Sequence, residues 1–164
     1  MPKLILAPMQ GLTDAPMRDL LTRIGGYDEC VSEFVRITHT VHSRVTWLRH
    51  VPEIARQNRT PSGIPCTTQL LGSDADMMAK NALEAVRLGV QTIDLNFGCP
   101  APTVNKHQGG AILLREPERI HQIVHELRFR LPEHINLTAK MRLGFENTDL
   151  AVANAQAIAA GGAS

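Results

Sequence analysis

Short apolar runs opening near residues 3, 29, 65, 91 and 136 alternate with stretches whose apolar residues recur at helical spacing. That rhythm constrains the fold more than any other feature. Strands that follow one another through helices lie parallel, so the pattern implies a parallel sheet with helical crossovers, either doubly wound or closed as a barrel. Five such units in 164 residues average about 33 each, and eight would need roughly 260, the usual size of a (β/α)8 barrel. The expectation is an α/β fold of the TIM (β/α)8-barrel type, with residues 1–164 holding about the first five units as one incomplete domain.

Element by element, Lys3 to Ala7 is nearly all apolar, as expected of a strand buried on both faces. Thr13 and Asp14 can cap a helix running to Ile24, with Gly25 and Gly26 stopping it. Glu29 to Ile37 reads as a single second strand, followed by a helical stretch from Val41 to Arg49 that Pro52 ends and a loop over Asn58 to Pro65. Pro65 to Leu71 is a third strand, and Ser73 with Asp76 is expected to cap a helix reaching Gly89, in which Met77 and Met78 are packing residues. Gln91 to Phe97 is a fourth strand and 98–110 a long loop. A helix from Pro117, a fifth strand over Asn136 to Leu143 and a helix from Thr148 to Ala160 complete the reading.

With 43% hydrophobic and 20% charged residues and a net charge of +1, the composition is that of a soluble globular protein, not a disordered one. No window approaches the roughly 18 uninterrupted apolar residues of a spanning helix, and the apolar start breaks at Pro8, Gln10 and Asp14, so neither a membrane span nor a cleaved signal peptide is expected. Cys30, Cys66 and Cys99 are too sparse for a disulfide scaffold and form no CxxC pair, which points to a reducing, cytoplasmic compartment. Between Arg36 and Arg59, five arginines face a single acid, Glu53, a local excess of +4. Such a block fits either a solvated helix face or contact with phosphates.

Polar residues interrupt every apolar run at the same end: Ala7 to Gln10, Glu33 to Arg36, Gln69, Asn96 to Cys99, and Lys140 to Arg142. In a parallel barrel these ends converge on the face that carries active sites, so five separated segments predict one pocket. Cys30 and Cys66 sit in apolar runs and read as packing residues, whereas Cys99 lies on a loop between Gly98 and Pro100. A thiol with an ordinary pKa of about 8.5 stays largely protonated at neutral pH, so a loop cysteine can donate a proton as well as attack.

The segments APM, EFVR, QLLG, LNFGCP with VNKHQGGA, and AKMRLG, in this order over essentially the whole chain, resemble the tRNA-dihydrouridine synthases. The cysteine-loop motif is specific to that family, whereas APM and the lysine strand occur in other flavin barrels. EFVR and RTPSG make the chain most similar to the bacterial C-type subfamily, which implies uridine 16 as the target. The resemblance implies an oxidoreductase, with FMN as cofactor and NADPH as its reductant, that reduces the C5=C6 bond of a D-loop uridine in tRNA. Hydride would reach C6 from the flavin, and Cys99 would protonate C5. Pro8, Met9 and Gln10 match the segment lining the flavin, Gln69 the amide on the polar edge of its ring, and Lys140 the cation beside the N1/C2 carbonyl side. Asn96 matches a contact to the substrate nucleotide and Arg36 a contact to tRNA, and the target base would have to flip out of its stack.

His121 and His125 have the spacing of a helical metal pair but lack an HExxH motif or a third ligand, and no metal site is expected. His107 could touch substrate or stand exposed, and Gly109 with Gly110 would permit a tight turn. The family's pattern continues with a sixth strand carrying a histidine, glycine-rich segments for the FMN phosphate, and a C-terminal helical domain that grips tRNA. None of these lies within residues 1–164, so weak FMN binding and no turnover are expected of this stretch alone. Two other readings are a flavin barrel acting on a free pyrimidine and an inactive RNA-binding fragment.

Overall fold

The computed structural model describes residues 2–164. Six strands form one parallel sheet: β1 (Ile5–Leu6), β2 (Glu29–Val31), β3 (Val35–Arg36), β4 (Cys66–Leu71), β5 (Thr92–Phe97) and β6 (Asn136–Met141). The order is β1-β2-β4-β5-β6, with β3 also paired to β4, and the sheet curls into a half-barrel of the TIM type. Helices α1 (Ala15–Ile24), α2 (Arg44–His50), α3 (Ala75–Arg87), α4 (Pro102–Asn105), α5 (Pro117–Arg130) and α6 (Ala151–Ala160) connect the strands, with 3-10 turns at Pro52–Arg56 and Gly110–Arg115.

The alternation within TIDLNF shows how the core forms. Ile93, Leu95 and Phe97 point one way, into a buried layer with Met78, Ala82, Ile120, Val124 and Leu127 from α3 and α5. Thr92, Asp94 and Asn96 point the other way, onto the concave face. The helix starts follow local chemistry: Asp14 accepts from the Met17 N–H at 3.0 Å and Asp74 from the Met77 N–H at 3.0 Å. The α3 cap is thus Asp74, not the expected Ser73 and Asp76 pair, because the Ser73 hydroxyl donates to the His107 carbonyl instead. Met78 is buried and Met77 packs against the same core.

Two expectations about strands are corrected. The first run yields only Ile5–Leu6, and of its residues Leu6 alone is buried, while Leu4 and Ile5 are 54% and 46% exposed. β1 is an edge strand, and Ile5 looks onto the open concave face. The second run is split, because pairing with β4 advances from Val31↔Thr67 to Val35↔Leu70, four residues on one side against three on the other. The extra residue is a β-bulge. It reverses the alternation, so that Val35 and Ile37 join Cys30 on the helix-facing side although each stands an odd number of positions beyond it.

Candidate active site

The bulge and the strand ends build a cleft of about 300 Å³ at the C-terminal edge of the sheet. Pro8, Met9, Gln10, Gln69, Asn96, Cys99 and Lys140 all line it, with Phe34, Gly98 and Pro100. Every expected site residue except Arg36 is therefore brought to one place. The Met9 turn is fixed by Thr13, whose hydroxyl oxygen accepts from the Met9 N–H at 2.8 Å and whose own N–H donates to the Met9 carbonyl at 2.9 Å. From the bulge, Ser32 Oγ accepts from the Gln69 N–H at 3.0 Å, and Glu33 accepts from the Gly11 N–H. The bulge thus clamps two of the segments that line the cleft.

Gln69, Asp94 and Thr138 stand abreast on β4, β5 and β6 as register partners. Gln69 Nε2 donates to Asp94 Oδ2 at 2.6 Å, and the Thr138 hydroxyl donates to Asp94 Oδ1 at 2.7 Å. On the mouth side, Asn96 Nδ2 donates to Gln69 Oε1 at 2.8 Å, while Asn96 Oδ1 accepts from the N–H groups of Gly98 and Cys99 at 3.0 and 2.9 Å. Burial pushes the Asp94 carboxyl above its ordinary pKa, opposed by the bonds from Thr138 and Gln69 and by the charge of Lys140, while Glu29 adds to the rise. Lys140, paired in register with Asn96, leaves its side chain exposed to the cleft.

Cys99 is half-buried, with its carbonyl held by the Ala111 N–H at 3.0 Å. Gly110 sits at φ 67°, and a side chain there would place Cβ 2.7 Å from the Cys99 carbonyl oxygen. Of the two glycines expected to relax the turn, only Gly110 uses the left-handed region. The long loop is also less irregular than expected, since it contains α4 and runs into the second 3-10 turn.

Arg36 lines a neighbouring hollow of about 90 Å³ with His39, Ser73, Asp74 and His107, and reaches the Thr103 carbonyl at 3.4 Å. The basic block itself is not one patch. Arg59 pairs with Pro65, immediately before β4, and so lies at the opposite end of the sheet from Cys99. His121 and His125 stack with centroids 5.7 Å apart, and among the described residues no three His, Cys, Asp or Glu side chains are grouped to hold a metal. No helix among the described residues is long and apolar enough to cross a membrane.

Residues 5–164 match the profile of the family described as dihydrouridine synthase. The chain belongs to the dihydrouridine synthase family. It is 74% identical over 161 residues to a tRNA-dihydrouridine(16) synthase of Neisseria meningitidis serogroup A, covering 98% of this chain and 48% of that protein. Proteins of the same name from Ralstonia nicotianae and Vibrio cholerae are 53% and 48% identical, over 99% and 90% of this chain and 50% and 46% of theirs. The chain thus spans about half the length of these relatives. Dihydrouridine synthases are generally flavin-dependent.

The residues of the cleft fit the ring of a flavin. Gln69, fully buried under the floor of the cleft, spends one N–H on Asp94 and one lone pair on Asn96, which leaves one donor and one acceptor uncommitted. Such a pair, beside the ammonium of Lys140, complements a ring edge on which carbonyls and an N–H alternate. Asp94, Ser32 and Thr138 had not been singled out in the sequence, although the period-two alternation of TIDLNF marks position 94 as facing the same way as Asn96.

Proposed function

We propose that this chain carries the flavin-ring side and the proton donor of an enzyme that reduces the C5=C6 bond of a D-loop uridine in tRNA, at position 16, with FMN as cofactor and NADPH as reductant. The observation that carries the reading is the placement of Cys99. Its backbone is pinned by Asn96 at the mouth of the cleft, above Gln69 and beside Lys140. The names of the relatives support tRNA as the substrate.

A flavin bound in the cleft would supply the hydride for C6, which no side chain present could furnish. Cys99 holds a proton on Sγ and gives it to C5, the carbon that gains a bond to hydrogen as the double bond is lost. Pro8, Met9 and Gln10 would wall the ring, Gln69 would hydrogen-bond its edge, and Lys140 would offset negative charge on it. Asn96 keeps one N–H free toward the pyrimidine. Arg36, outside the cleft but at the same end of the sheet, would meet an RNA phosphate and so help position the flipped base.

The test is dihydrouridine mapping by mass spectrometry in cells lacking their own synthases. The Neisseria relative is compared with a chimera in which this chain replaces the matching half, and with the same chimera carrying Cys99→Ala. Dihydrouridine at position 16 with the chimera and none with Cys99→Ala is expected. A chimera that leaves uridine unmodified while the intact relative modifies it overturns the reading.

A further inference from the structure

Asp94 lies below the cleft, 6% exposed, and touches neither the mouth nor Cys99. Its two oxygens are nonetheless where the side-chain bonds from Gln69 and from Thr138 end. Taken from the other end, the order is forced step by step. The N–H groups of Gly98 and Cys99 can only donate, so the Asn96 oxygen must face them and its nitrogen must face Gln69. Gln69 must then offer its oxygen to Asn96 and turn its nitrogen down into the barrel. Only an acceptor can meet that nitrogen, and an ionised carboxylate accepts and cannot donate. An amide chain with donors at both ends would have one clash of like groups somewhere along it; with a carboxylate at one end it has none.

We propose that Asp94 is a positioning residue: as the acceptor end of the chain Asp94–Gln69–Asn96–Cys99 it fixes the sense of both amides, so that Gln69 turns a donor toward the depth of the barrel and an acceptor toward the mouth. The ligand that fits is a heteroaromatic ring whose edge presents a carbonyl on the deep side and an N–H on the mouth side. The same chain transmits Asp94 to the Cys99 turn, because Asn96 is the group that holds the two N–H donors there. The inference about flavin orientation rests on the proposed function; the inference about the amides does not.

The neighbouring groups allow a discriminating pair of variants. In Asp94→Asn the new carbonyl can still accept from Gln69, since the Thr138 hydroxyl can rotate to accept from the new amide nitrogen. Asp94→Leu removes both acceptors. In the 15N-labelled 164-residue chain, the side-chain NH2 protons of Gln69 and Asn96 are expected to exchange slowly with solvent in the wild type and in Asp94→Asn. Both are expected to exchange at least about tenfold faster in Asp94→Leu, the scale of one lost buried hydrogen bond. FMN titration of the Neisseria chimera should follow the same order, with affinity nearly unchanged in Asp94→Asn and about tenfold weaker in Asp94→Leu.

Equal exchange in Asp94→Leu and wild type overturns the proposal, as does an Asn variant that fails like Leu. Hydrogen-bond scalar couplings in the wild-type chain, from the Gln69 side-chain nitrogen to the Asp94 carboxyl carbon and from the Asn96 side-chain nitrogen to the Gln69 carbonyl, need no variant; absence of both overturns it even if Asp94→Leu does not fold. Ordered amides with no FMN binding in the unmutated chimera would instead count against the flavin reading and leave the positioning role standing.

Discussion

Arg18 grips Glu53 through two parallel hydrogen bonds of 2.8 Å, from Nε to Oε1 and from Nη2 to Oε2, with both side chains sealed from water. Its remaining nitrogen donates to the Thr13 carbonyl at 2.7 Å, so the pair anchors α1, the 3-10 turn after α2 and the residue that fixes the Met9 loop. Removing one partner leaves a buried charge without compensation, a loss of about 3–5 kcal/mol against a total of about 5–15 kcal/mol for a typical domain. Arg18→Met and Glu53→Leu are each expected to lower the unfolding free energy by that amount in urea denaturation. The double variant should lose less than the sum, and strict additivity would rule the coupling out.

Asp94 makes stability depend on pH in an unusual sense. An unfolded aspartate titrates near about 3.9, whereas burial raises the folded value, so between the two the folded state binds more protons. The contribution of Asp94 therefore falls as pH rises through that window and stays low above it. Asp94→Asn lacks this dependence and should gain on the wild type as pH climbs from about 3.5. Asp76 behaves oppositely, since bonds from Lys80 and Arg130 hold its carboxyl below the usual range. Its contribution is lost as pH falls through the folded value, and Asp76→Asn should close on the wild type in acid. Chemical denaturation at a series of pH values reads both signs.

The three cysteines should differ sharply toward a thiol reagent. Cys30 and Cys66 are free thiols and register partners inside the sheet, and the neighbouring Cys30 side chain together with burial pushes Cys66 well above the ordinary thiol range. Cys99 is half-buried at the cleft. Mass spectrometry after brief iodoacetamide treatment is expected to find label on Cys99 alone, with the other two reacting only in denaturant. Gly110→Ala forces a side chain against the Cys99 carbonyl and should change the Cys99 labelling rate without altering that order.

If Arg36 meets an RNA phosphate, Arg36→Ala in the Neisseria chimera should weaken tRNA binding and flatten the plot of log affinity against log salt by about one unit. Arg59→Ala, at the far end of the sheet, should leave that slope unchanged. Filter binding across a salt series separates the two, and equal slopes for all three proteins would remove Arg36 from the interface.

Much of this was legible in the chain because it rests on local chemistry. The alternation of TIDLNF, the Asp14 cap and Pro117 at a helix start each follow from a few neighbouring residues, and so does the convergence of strand ends on one pocket. What was hidden depends on register. Glu29 to Ile37 looks like one strand until its pairing with β4 reveals the surplus residue, and Asp94 looks like any polar strand position until Gln69 and Thr138 stand beside it. The Arg18 and Glu53 pair joins residues far apart in sequence, and neither is unusual alone. Ile5 is exposed because of which strand lies at the edge, a matter of sheet order and not of its own hydrophobicity.

The surplus residue between Val31 and Val35 has an evolutionary corollary. Side chains upstream of it and downstream of it obey opposite parities, so deleting one position there would leave three steps against three on β4: Val35 could stay opposite Leu70 and facing the helices, but Ser32, Glu33 and Phe34 would have one place fewer from which to reach the Gln69 backbone, Gly11 and the cleft. Exchange of one side chain for another disturbs a single contact, but a codon lost removes the bulge itself. This stretch should therefore keep its count of residues among relatives, together with an acceptor at each of positions 32 and 33.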